Sequence, residues 1–119
     1  MPSPDRLKPC PPSPNCVSSW PDEDKKHRVA PLSWAGDLAQ TKSRLRQAVL
    51  STGNATFVDE TETYWHVEFR SNVFRFVDDV EFLFDREKKL IHVRSASRVG
   101  YSDLGVNRKR VEKIRSLFQ

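Results

Sequence analysis

Arg94, Arg98, Asn107 and Arg108 gather three guanidinium forks and a side-chain amide around the expected start of a C-terminal helix. Arg108, Lys109 and Arg110 follow one another in that first turn. A helix N-terminus already carries partial positive charge, so each cation there is disfavoured by about 0.3–1 kcal/mol unless something negative answers it. Two answers compete. Acids of a neighbouring sheet are one. A bound anion is the other, because glycine-flanked backbone N–H groups beside Gly100 and Gly105, with arginines in reach, are the ingredients of a phosphate or carboxylate site. Arg94, Arg98, Asn107 and Arg108 are therefore the candidate ligand-binding residues. Neither GK[ST] nor GxGxxG accompanies them, so the anion reading does not extend to a nucleotide loop.

Asp78 and Asp79 suggest a second kind of chemistry. Neighbours along a strand point to opposite faces, so these two carboxylates do not share a substrate as a dyad. Asp78 alternates with Phe74, Phe76, Val80, Phe82 and Phe84. An acid on an apolar face has its pKa raised by burial unless a hydroxyl or an arginine holds it ionised. Asp78 is thus the acid/base candidate, and an acid hydrogen-bonded to Ser95, Ser97 or the N-terminal segment is the structural alternative. Asp79 and Glu81, on the other face, are expected to form ion pairs with Arg94 and Arg98.

Cys10 and Cys16 enclose PPSPN. A small-loop disulfide in an oxidising compartment, a pair of buried thiols, and a reactive Cys16 assisted by Ser18, Ser19 and a histidine all remain open. Two cysteines are only half of a structural zinc set, and their spacing is unusual for one. No metal and no cofactor is assigned.

The elements that must position these residues follow from periodicity. Residues 37–50 read as a helix capped by Asp37, with Leu38, Leu45, Ala48 and Val49 on one face and Lys42, Arg44 and Arg46 off it. Residues 55–71 read as two strands around a turn near Glu60 to Thr63, with Trp65, Val67 and Phe69 alternating against His66 and Glu68. Val73 to Asp85 reads as the longest strand, and Leu90 to Ser97 returns after a tight turn at Glu87-Lys88. That turn sets Phe84 opposite Ile91, Phe82 opposite Val93, Val80 opposite Ser95 and Asp78 opposite Ser97, with Glu81 opposite Arg94 on the other face. Gly100, Ser102-Asp103 and Gly105 predict turns, Asn107 the cap of the last helix, and Val111, Ile114, Leu117 and Phe118 its buried stripe.

Residues 1–31 hold all eight prolines, which bars helix and central strand. Leu7, Val17 and Trp20 give this segment too much apolar surface for a free tail. It is expected to lie over the body, residues 32–119, covering a sheet edge or a core face, within a single domain 1–119. WPDEDKKHR reads as a charged loop with His27 exposed.

PCPPSPNCVSS and FRFVDDVEFLFDREKKLIHVRSASRVGYSDLGVNRKR together resemble DUF1499, a family of bacterial and plastid proteins of unknown function, along nearly the whole chain. The resemblance implies no reaction and names no ligand. The matching residues are mostly Gly, Asp, Arg, Ser and Asn at turns, which favours binding over catalysis. The small residues of Ser95-Ala96-Ser97 suggest that the two motifs are two sides of one contact.

The fold class expected is α+β, an antiparallel sheet of about four strands with both helices on one face and the proline-rich arm across an edge. The function expected is a small soluble binding or interaction module with an anion-binding surface near the last helix; the alternative is a small enzyme using Asp78 as acid/base or Cys16 as nucleophile. Twenty Lys and Arg against 16 acids leave a net charge of +4 without a dense basic run, so a small anionic ligand or a protein partner fits better than nucleic acid. No apolar run reaches the roughly 20 residues of a membrane span. MPSPDRLKPC has no apolar signal core, which reads as cytoplasmic as written, or as periplasmic or lumenal behind a removed signal.

Overall fold

A computed structural model describes residues 4–71, 76–100 and 105–119 of the chain. The elements run β1 (Cys16–Ser18), β2 (Leu32–Ser33), α1 (Leu38–Ser51), β3 (Ala55–Glu60), β4 (Tyr64–Arg70), β5 (Val77–Asp85), β6 (Leu90–Ser97) and α2 (Val106–Phe118). They form one antiparallel six-stranded sheet in the order β1-β6-β5-β4-β3, with β2 also on β6, and two helices. The architecture is α+β.

The sheet is larger than the four strands expected. Its two extra members are strands of three and two residues, too short to show periodicity. Each forms because β6 has an unpaired edge: Cys16–Ser18 pairs with its second half and Leu32–Ser33 with its beginning. The long hairpin has the expected register, Asp78 to Ser97, Val80 to Ser95, Glu81 to Arg94, Phe82 to Val93 and Phe84 to Ile91. Phe74 and Arg75, expected at the start of its first strand, lie outside the described residues, as does the Ser102-Asp103 turn.

Alternation divides the sheet into two faces. Trp65, Val67, Phe69, Val80, Phe82, Phe84, Ile91 and Val93 face the helices and join one buried cluster with Leu45, Ala48 and Val49 of α1 and Val111, Ile114 and Phe118 of α2. Trp65 is its centre, met edge-on by Phe57 at 5.4 Å, Phe84 at 5.1 Å and Phe82 at 6.3 Å. Leu117, expected on the buried stripe, is 45% exposed, because the three-four spacing from Val111 through Ile114 runs to Phe118 instead. A register shift between Phe57 and Asp59 leaves Val58 exposed on the edge strand and turns Asp59 towards the outer face beside His66.

Helix α1 begins where Asp37 accepts the Ala39 N–H at 3.0 Å. Its buried stripe differs from the expected one: Thr41 is fully buried, and Lys42, between Leu38 and Leu45 at four-three spacing, is half buried with its ammonium 5.3 Å from the Phe84 ring. Helix α2 begins earlier than its cations suggested. Gly105, at φ 81°, is the N-cap and Asn107 lies inside the first turn. Asn107 is therefore not the cap, and its side chain is engaged elsewhere.

Candidate functional site

The work of Asn107 is burial. It is fully buried, and its Oδ1 accepts from Ser95 Oγ at 2.6 Å and from Arg110 Nη1 at 2.8 Å. Its Nδ2 donates to the Asn15 carbonyl at 3.2 Å and to Ser97 Oγ at 2.9 Å. Arg110 continues the network to Asp78 Oδ2 at 2.7 Å and covers the Phe69 ring at 4.8 Å. Asn15 Nδ2 donates to the Gly100 carbonyl at 2.7 Å, and the Ser97 N–H donates to the Asn15 carbonyl. The two motifs of the sequence thus meet: Asn15–Ser18 lies along Arg94–Ser97, with Cys16 opposite Ala96. Asp78 is the buried acid held by an arginine, with its side chain 13% exposed.

The remaining predicted ligand residues do not converge with Asn107. Arg108 donates to the carbonyls of Arg28 and Lys26, both at 2.8 Å, which clamps the loop before β2 onto α2. Those carbonyls answer the cation at the helix start. Arg94 and Arg98 lie on the outer face of the sheet, in the charge lattice expected for them. Arg98 grips Asp79 through Nε at 2.7 Å and Nη2 at 2.9 Å, and Glu68 at 2.7 Å. Those carboxylates hold the Arg98 pKa above its ordinary value. His66 Nε2 lies 2.7 Å from Asp79 Oδ1, on the strand between. Burial pushes Asp79 up, but the bonds from Arg98 and His66 outweigh it and keep the carboxyl below the usual range.

Glu81 accepts from Tyr64 Oη at 2.6 Å, and desolvation together with this carboxylate raises the tyrosine pKa. Arg94 is the loosely held member of the lattice. Its Nη1 is 3.5 Å from Glu81, its Nη2 is 3.4 Å from the Pro9 carbonyl, and its buried Nε has no partner among the described residues. His66, Glu68 and Asp79 have donor atoms close enough for a cation, but the Arg98 guanidinium already answers both carboxylates.

Cys10 and Cys16 form a disulfide, which leaves no thiolate at Cys16 for nucleophilic attack. The histidine that folding brings to this segment is His92, whose Nδ1 lies 3.1 Å from Ser19 Oγ. Ser19 Oγ also accepts the Val93 N–H at 2.8 Å. Burial lowers the His92 pKa, against a hydrogen bond to the Ser19 backbone that works to raise it. Both side chains are buried, and Trp20 lies over His92 with ring centroids 4.8 Å apart. His27 is also buried rather than exposed, because the proline-rich segment closes over it: Nε2 meets the Ser13 carbonyl and Nδ1 meets Asp24. Glu23, Asp24 and His27 could surround a cation by distance, but both ring nitrogens are already engaged.

A groove that the sequence reading missed lies at the other end of the sheet. It encloses about 440 Å3 and is lined by Trp34, Gly36, Leu38, Ala39, Lys42, Glu62, Arg86 and Lys89. Three connections and one helix converge to build it: the link from β2 to α1, the first turns of α1, the β3–β4 turn and the β5–β6 turn. The Trp34 N–H donates to the Lys89 carbonyl at 3.1 Å and ties two of these together. Lys42 Nζ donates to the Glu62 carbonyl, and Arg86 pairs with the Glu62 carboxylate. Burial lowers the Lys42 pKa, and Arg86 nearby adds to the effect. Among the described residues Lys89 has no ion-pair partner. The available signal was Lys42 at an apolar helix position, above a tryptophan just before the helix cap.

Among the described residues no helix is long and apolar enough to cross a membrane. No curated protein matches the chain. The family model described as protein of unknown function (DUF1499) matches residues 6–118, and the chain belongs to that family.

Proposed function

We propose that the chain is a small binding module for an anionic ligand, and that the ligand seats in the groove between α1 and the β5–β6 turn. One observation supports this place above others: Lys42, Arg86 and Lys89 line the groove against a single carboxylate, Glu62. Elsewhere among the described residues the arginines face the chain's own acids or carbonyls, whereas in the groove only Arg86 is so paired, with Glu62, and Lys89 has no ion-pair partner. The volume lies within the roughly 300–1,000 Å3 usual for small-molecule sites. The alternative, a small enzyme, has less support. Its acid Asp78 is held by Arg110, and its nucleophile Cys16 is in a disulfide. That bridge favours an oxidising compartment as the place of work.

The test is a benzoate titration followed by amide NMR at low and high salt. Saturable shifts at Gly36, Ala39 and Lys89 that weaken with salt and in an Arg86→Ala/Lys89→Ala variant are expected. Shifts that ignore both salt and the variant would refute the reading.

A second reading places the anion on the outer face of the sheet at Arg94 and Arg98; Asn107, fully buried, and Arg108, held by two backbone carbonyls, do not join them there. Among the described residues the buried Nε of Arg94 has no partner, which favours this reading, because an unmatched buried donor costs about 1–3 kcal/mol and gains from any acceptor. Shifts centred on Arg94 in the same titration would support it.

A further inference from the structure

The composition of the groove narrows its ligand further, and this step rests on the anion reading just given. Its cations are not spread over its walls. Arg86 and Lys89 stand in the exposed β5–β6 turn at the rim. Trp34, Leu38 and Ala39 supply its apolar lining, and Lys42 lines it too, with its ammonium 5.3 Å from the Phe84 ring. The stem of such a lysine presents apolar surface while its head stays polar. Trp34 is buried and fixed by the bond to Lys89, so the apolar wall is in place before any ligand arrives.

A hydrated inorganic ion would meet only the rim, where exposed charge pairs contribute little and salt screens them. A neutral apolar molecule would meet only the wall and leave Lys89, which has no ion-pair partner among the described residues, unanswered. An anion with an apolar body uses both, and desolvation of the wall strengthens its pairing with the cations. We infer that the groove binds an organic anion with a compact apolar body, its charged end between Arg86 and Lys89 and its body against Trp34 and Leu38.

The experiment compares four probes by amide and indole NMR on the intact, oxidised chain: 2-naphthoate, decanoate, 2-naphthalenemethanol and inorganic phosphate. Both carboxylates are expected to shift Gly36, Ala39, Lys89 and the Trp34 indole saturably, at concentrations about tenfold below those phosphate or the alcohol needs, a difference in the range one buried apolar group or one ion pair produces. The Arg86→Ala/Lys89→Ala variant, whose changes lie in an exposed turn, should weaken naphthoate by about tenfold while its spectrum stays folded. Leu38→Ser should weaken naphthoate and leave phosphate unchanged.

Phosphate equal to naphthoate would overturn the amphiphile inference and leave the anion reading standing. The alcohol equal to naphthoate would overturn the role of charge and both readings with it. Shifts confined to Arg94 and its neighbours would overturn the groove. No shift with any probe would overturn groove and ligand class together.

Discussion

The ring of His27 reaches the backbone carbonyl of Ser13 through Nε2 at 2.9 Å while Nδ1 lies 2.8 Å from Asp24 Oδ1. A carbonyl only accepts, and Asp24 is held ionised because its carboxyl pKa is lowered, first of all by this bond. Both nitrogens face acceptors, an arrangement that the protonated imidazolium satisfies on both sides. Burial works against the charge, but the two acceptors prevail and raise the pKa above the ordinary value. A pKa higher in the folded than in the unfolded chain stabilises most below about pH 6.5, and that contribution fades as pH rises through the folded value. Urea unfolding across this range should show the wild type losing stability relative to His27→Gln as pH rises. The comparison is needed because His92, with its lowered pKa, trends the other way. A ring nitrogen NMR spectrum showing a neutral imidazole at pH about 6 would refute the argument.

Asn107 joins segments more than ninety residues apart, bonding Asn15 as well as Ser95, Ser97 and Arg110. Truncating it leaves several buried groups without partners, at roughly 1–3 kcal/mol for each. Asn107→Ala should lower the unfolding free energy by about 3 kcal/mol in a denaturant titration, far more than loss of a helix cap. Ser97→Ala, which removes one bond at the edge of the network, should cost about 1 kcal/mol. Equal, small effects would mean that water replaces the amide and that the network is not closed.

These residues also show what could be read from the chain alone. The β5–β6 register was legible because a tight turn fixes the pairing and a period of two then places every side chain. Asp79, Glu81, Arg94 and Arg98 came with it. Asn107 misled, because asparagine before a helical stripe looks the same whether its amide caps the backbone or crosses to a distant strand. His27 misled for the same reason: Ser13 lies fourteen residues away, and no local rule joins them. The groove was hidden in a different way. Its residues come from three connections and one helix, and only the closed sheet brings Trp34 to Lys89.

The disulfide closes a short loop, Cys10 and Cys16 being six residues apart, so its effect on the unfolded chain is modest. The chain-entropy argument gives about 2 kcal/mol for a loop of this size. Cys10→Ser/Cys16→Ser should lose that amount in a denaturant titration. The loss should also be local, because Cys16 opens β1 and the Asn15 carbonyl beside it accepts the Ser97 N–H. Amide exchange at Ser97 and Ser18 should accelerate before exchange in β4 and β5 does. Uniform acceleration across the sheet would show instead that β1 and the body open as one unit.

Arg98 and Asp79 test whether the outer lattice is structural. The bidentate bond is the main force holding the Asp79 pKa down, against burial that pushes it up. A carboxyl depressed in the folded state stabilises above its unfolded pKa of about 3.9, and the contribution is lost as pH falls through the folded value. Arg98→Ala removes the grip and leaves burial and His66 to compete. Carboxyl carbon NMR should then show Asp79 titrating at higher pH than in the wild type. Acid unfolding of the variant should begin at higher pH, while its stability near neutrality falls only slightly, since Arg98 is 45% exposed. An unchanged Asp79 would mean that His66 alone holds the carboxylate, and would leave Arg98 free for an outside anion.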